Sequence, residues 1–124
     1  MINTVVSVLL GNTDSIFGQS LLNHLLICGV EQPVLESRAR DLVRRLRHAP
    51  FDLIIVDTRL YELPAVRAAV NEHHRTRRSA VMLVFDDYSP PMSLTDLRNA
   101  DFHLCVAKST APEIVSSLMS PIPP

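Results

Sequence analysis

The stretch FDLIIVDTRL, residues 51–60, carries the pattern that decides the fold: Phe51 and Asp52 lead into Leu53, Ile54, Ile55 and Val56, and the apolar run stops at Asp57. A strand apolar at consecutive positions has no solvent face, so it belongs in the middle of a sheet covered on both sides, as in parallel α/β folds. Pro50 before it breaks a preceding helix, and Pro64 after it suits the first turn of the next one. Helix, strand, helix is therefore the local order.

Outward from this strand the same alternation gives five strand and helix cycles. Residues 4–10 form a first strand closed by Gly11, and the polar group Asn12, Thr13, Asp14 and Ser15 caps a helix that buries Ile16, Phe17, Leu21, Leu22, Leu25 and Leu26. Gly29 stops that helix, because glycine accepts a left-handed C-terminal conformation freely. Residues 33–36 are a short peripheral strand. Over 37–49, Ala39, Leu42, Val43 and Leu46 recur at helical spacing, with Arg38, Arg40, Arg44, Arg45 and Arg47 on other faces. The helix opened by Pro64 buries Val66, Ala69 and Val70 ahead of a polar stretch, 71–79, and 80–85 is the fourth strand. Two prolines within 88–92 delay the fourth helix of the cycle to about 93–99 and keep it short or irregular. Residues 103–107 are the fifth strand; Thr110 and Glu113 make a capping box for a last helix with Ile114, Val115, Leu118 and Met119 inward. The domain spans 1–120, and 121–124 begin a linker.

Composition excludes several classes. At 124 residues and 13.8 kDa there is one core. Hydrophobic residues at 47% and charged residues at 20% argue against disorder, and a net charge of −1 provides no global field for nucleic acid or membrane. No apolar run nears the ~20 residues of a membrane span, and 5–10 lacks the basic flank and length of a signal peptide, so a cytoplasmic location is expected. Cys28 and Cys105 read as reduced structural thiols. With three glycines in no phosphate-binding spacing, and no Ser or Cys nucleophile motif, nothing marks an enzyme. His24 reads as a flank of the first helix, and His73 and His74, with Arg75, Arg77 and Arg78, as a solvated helix end. The arginines of 37–49 are either a solvated face or a docking surface for an acidic partner.

In open parallel sheets, ligands and chemistry collect beyond the carboxyl ends of the strands. Those ends carry Asn12, Thr13 and Asp14; Asp57, Thr58 and Arg59; Asp86 and Asp87; and Lys108, the only lysine among twelve basic side chains. Asp57 is open to two readings, a functional carboxylate or a turn and cap residue. Lys108 is likewise open, as a partner for carboxylate or phosphoryl oxygen or as a solvated side chain.

Three stretches together resemble the receiver domain of bacterial response regulators of the NarL/FixJ type: FDLIIVDTRL, HLCVAKSTAPEIVSSLM (103–119) and SIFGQSLLNHLL (15–26). The resemblance implies a flavodoxin-like, doubly wound five-stranded parallel sheet of order 2-1-3-4-5. It places the phosphoacceptor at Asp57, the phosphate contact at Lys108, and a Mg²⁺ site formed by an acidic pair, Asp57 and the Arg59 carbonyl. The sequence departs from that pattern at three places. Asn12 and Thr13 (or Gly11 and Asn12) replace the acidic pair, with Asp14 close by as a helix cap; Phe85 replaces a hydroxyl residue; Cys105 replaces an aromatic one. The expectation is a degenerate receiver without a cofactor, in which Asp57 and Lys108 persist as a structural ion pair and Arg59 turns toward the emptied metal site. It acts as a homodimer, or a heterodimer with another regulator, through the first and last helices. DNA enters only through an attached or partner DNA-binding domain, and no membrane is involved. The alternative is a phosphorylatable receiver in which Asp14, Asp86 or Asp87 supplies the missing oxygen to a weak Mg²⁺ site. A flavodoxin-like enzyme would need a cofactor loop that the sequence lacks.

Overall fold

The computed structural model describes residues 6–87 and 104–119. The chain runs β1 (Val8–Gly11), α1 (Ser15–Ile27), β2 (Val34–Glu36), α2 (Ala39–His48), β3 (Leu53–Asp57), α3 (Thr58–Tyr61), α4 (Pro64–Arg77), β4 (Ala80–Phe85), β5 (Leu104–Ala107) and α5 (Ala111–Met119). The strands form one parallel sheet in the order β2-β1-β3-β4-β5, the order expected from the sequence. Leaving β1, the chain turns to the edge strand β2, then crosses back to β3 on the other side. The β1–β3 junction is thus the topological switch point where a crevice opens.

Every residue of β1 and β3 is buried. Their side chains alternate between two cores. Leu9, Ile54, Val56 and Leu83 face Leu42 and Leu46 of α2 and Val66 and Val70 of α4. Val8, Leu10, Ile55 and Met82 face Leu21 and Leu25 of α1 and Val115 of α5. Gly11 ends β1 where α2 presses closest: a Cβ there would lie 2.7 Å from Leu42 Cδ2. Gly29, at φ 98°, ends α1 as expected, with the Val30 N–H donating to the Leu25 carbonyl at 3.0 Å.

Several expectations need correction. Ile16 and Leu26, expected in the core, are 83% and 47% exposed, because α1 turns its Gly18, Leu21 and Leu25 stripe to the sheet. Leu118 is also exposed; Ala111 and Val115 fill that role in α5. At the start of the last helix the Thr110 hydroxyl donates back to the Ala107 carbonyl at 3.1 Å. The one-turn α3 was not anticipated, and α4 continues past Val70 to Arg77. The short or irregular fourth helix expected at 93–99, His103 and the tail 121–124 lie outside the described residues. Among those described, no helix is long and apolar enough to cross a membrane. Both cysteines are free thiols.

His73, read from sequence as solvated, is buried. Its Nδ1 meets Ser79 Oγ at 2.9 Å and its Nε2 meets the Ala49 carbonyl at 3.0 Å, tying the end of α2 to the start of β4. His74 next to it turns elsewhere and contacts the Ser79 carbonyl. We expect His73→Ala to lower stability by about 1–3 kcal/mol through loss of both bonds, read as a shift in the urea unfolding midpoint.

Candidate functional site

The carboxyl ends of β1, β3 and β4, with the loop after β5, enclose a cleft of about 300 Å³. Its lining includes Asn12, Thr13, Asp14, Asp57, Arg59, Phe85, Asp86 and Lys108, so the residues singled out at the strand ends do converge. Asp87 and Cys105 do not line it. Cys105 packs half-buried against the core on the α2 and α4 side of the sheet, where burial pushes its thiol pKa up.

Asp57 is nearly buried at the last position of β3. Its Oδ2 accepts from both the backbone N–H and the hydroxyl of Thr13, each at 2.7 Å. Its Oδ1 accepts from the Leu60 N–H at 2.7 Å and so caps α3. One carboxylate thereby stitches the loop after β1 to the helix after β3. Asn12, buried beside it, accepts from the Asp14 N–H at 2.9 Å, a local turn that fixes the same loop.

Lys108 does not pair with Asp57. Its Nζ donates to Asp14 Oδ2 at 2.6 Å and lies 5.1 Å from the centre of the Phe17 ring. The expected Asp57–Lys108 ion pair is thus replaced, for a physical reason: Thr13 and Leu60 already engage both oxygens of Asp57. Asp14, by contrast, uses only Oδ1 to cap α1, through the N–H groups of Ile16 and Phe17 at 3.1 and 3.2 Å. Its Oδ2 stays available, and the aromatic face adds attraction for the ammonium.

The remaining positions have simple roles. Phe85 sets a ring that cannot hydrogen-bond an anion at the end of β4, and its carbonyl accepts from the Lys108 N–H at 2.9 Å. Arg59 is exposed on the cleft rim and has no ion-pair partner among the described residues. Asp86 lines the cleft. Asp87 accepts from the Ser109 N–H at 3.2 Å, and hydrogen bonds from the Ser109 side chain and backbone hold its carboxyl below the usual range.

A divalent cation of the magnesium kind needs several free, hard oxygen ligands. The oxygens of Asp57 accept three N–H or O–H donors, those of Asp14 serve a helix cap and an ammonium, and Thr13 aims its hydroxyl proton at Asp57. These residues therefore do not fit such an ion. Nor do three or more His, Cys, Asp or Glu residues group to hold a metal among the described residues. Sequence reasoning missed the Thr13–Asp57 bond, which spans 44 positions. The cap on Leu60 is one of the two readings the sequence left open for Asp57, an aspartate three residues before Leu60 where a helix could start.

The Asp14 carboxyl is held below the usual carboxylate range, first by the hydrogen bond from Lys108 and then by the Phe17 N–H. A lowered folded-state value stabilises the fold in full above the ordinary carboxylate range, about pH 4, and the benefit disappears as pH falls through the lowered value. Asp14→Asn is therefore expected to flatten the acid side of the stability profile in that window. In double-mutant cycles read by urea midpoints, Asp14→Asn and Lys108→Met are expected to couple, whereas Asp57→Asn and Lys108→Met add.

No family model and no curated protein matches the chain. Solved structures do. A CheY-like response regulator receiver domain from Methanospirillum hungatei superposes with a TM-score of 0.71 at 15% identity, over 94% of each chain. The signal receiver domain described as that of the response regulator NarL from Mycobacterium tuberculosis gives 0.67 at 14% identity, again over 94% of each. A Burkholderia thailandensis protein described as the pilus assembly protein CpaE gives 0.60 at 20% identity, over 92% of this chain and 94% of that one. At these identities the likeness is one of architecture, and the chain has the CheY-like, flavodoxin-type fold.

Proposed function

We propose that this domain is a pseudo-receiver of a two-component-type transcriptional regulator of the NarL/FixJ kind, a cytoplasmic binding module and not an enzyme. It acts by dimerisation or by docking on a second regulator, largely without phosphorylation. One observation carries the reading: Asp57, the position of a receiver's phosphoacceptor, is engaged on both oxygens by Thr13 and Leu60 while Lys108 is turned to Asp14. Attack on phosphorus needs a carboxylate oxygen open to the cleft and a cation near the developing charge. Three donors take three of the roughly four acceptor sites of Asp57, and Lys108 is turned away from it. Here the carboxylate serves as a structural tie. Phe85 in place of a hydroxyl and Cys105 in place of an aromatic residue remove a phosphate contact and a side chain that could reorient on modification. DNA is reached through an attached or partner DNA-binding domain. The exposed Ile16, Ile27 and Leu118 favour α1 and α5 as the face that meets another regulator.

The test is to incubate the protein with Mg²⁺ and a small phosphodonor and to record its intact mass beside Asp57→Asn. The expected result is no phosphoryl adduct on either. An adduct on the wild type, absent from Asp57→Asn, would establish the phosphorylatable reading, with Asp14, Asp86 or Asp87 supplying metal oxygen. Independently, Thr13→Ala is expected to cost about 1 kcal/mol of stability, because it removes the hydroxyl bond and leaves the backbone one.

A further inference from the structure

The geometry points to the groove between α2 and α4 as a docking site for an acidic amphipathic helix of a partner protein. The two helices pack side by side over one face of the sheet, and a groove of about 410 Å³ runs between them. Leu46, Ala68 and Ala69 supply its apolar surface, Glu72, His73 and Thr76 line it as well, and Arg47 on α2 and Arg77 on α4 flank it. Arg44 lies about one turn before Arg47 on α2, outside the groove lining. All three arginines are exposed residues. Elsewhere on this face Arg45 is held by Glu36 and Arg75 by Glu72, but Arg44, Arg47 and Arg77 have no ion-pair partner among the described residues.

Basic residues near helix C-termini interact favourably with the macrodipole, but one or two per helix meet that need. The excess of unpaired cations beside an apolar surface calls for a ligand with carboxylates spaced around an apolar stripe. Arginine is the fitting residue, since its planar fork meets a carboxylate with two parallel bonds. Nucleic acid fits less well. Glu72, already paired with Arg75, breaks the positive field that a continuous polyanion would need, and no exposed aromatic ring lines the groove for base stacking. A peptide helix can place its carboxylates to avoid Glu72. The groove includes the C-terminal ends of α2 and α4, at the opposite end of the strands from the Asp57 cleft. Its use is therefore independent of the chemical state of Asp57.

The experiment uses the full chain and fluorescence anisotropy with three labelled probes: a helical Leu/Glu peptide, the same peptide with Gln for every Glu, and a DNA duplex. The expected result is that the Leu/Glu peptide binds best and weakens as salt is raised. Arg47→Glu/Arg77→Glu should weaken it by about tenfold or more, with the unfolding midpoint showing that the variant is folded. Ala68→Gln, an uncharged change on the apolar surface, should weaken both peptides. Tighter binding of the DNA duplex, equal binding of the Gln peptide, an unchanged affinity in the arginine double variant, or no binding of the Leu/Glu peptide would each overturn the proposal.

Discussion

The Asp57 carboxylate takes three hydrogen bonds at the topological switch point between β1 and β3, and the arrangement of the cleft depends on them. Beyond the ends of β1 and β3 the chain departs to opposite sides. The loops leave backbone N–H groups that the ladder no longer satisfies, and buried donors of that kind must find acceptors. Asp57 supplies acceptors to both loops at once. It starts α3, whose buried Leu60 and Tyr61 in turn seat the beginning of α4. On the other side it holds Thr13 one residue ahead of Asp14, the cap of α1.

From that arrangement the electrostatics of the cleft follow. With Asp57 engaged by neutral donors, Lys108 goes to the carboxylate that still has a free oxygen, and Asp14 comes to serve helix and ammonium together. The hydroxyl at position 13 sets this arrangement. A carboxylate there would repel Asp57 and invite a cation between them, whereas a hydroxyl donates to Asp57 and closes the same gap without one.

The two faces of the sheet carry different surfaces. α1 has no acidic or basic charge along its thirteen residues apart from His24 and exposes isoleucines at both ends. α2 and α4 expose arginines. The domain thus presents two chemically distinct surfaces, one apolar and one cationic.

Much of this was legible in the sequence because burial leaves a local imprint. The apolar run at 51–56 marks a strand covered on both faces, and β4 has the bounds that its pattern gave, 80–85. Val66, Ala69 and Val70 lie inward as their spacing requires. The strand-end rule also gathered Asn12, Thr13, Asp14, Asp57, Thr58, Arg59, Asp86 and Lys108 into one cleft, and of its residues only Asp87 falls outside the lining. What the sequence could not decide were choices among chemically similar candidates. His73 and His74 are adjacent, and only the packing of α4 against Ala49 and Ser79 makes one of them a core residue. Ile16 and Leu21 are equally apolar, and the rotation of α1 on the sheet, set by the close approach of Gly18 to Leu35, selects between them. The sequence reading pairs Lys108 with Asp57, whereas its ammonium meets Asp14. Sequence determined that carboxylates and an ammonium would meet at the strand ends, because periodicity fixes which residues end strands. Tertiary structure alone decided which carboxylate takes the ammonium, because that depends on donors brought from 44 positions away in the chain.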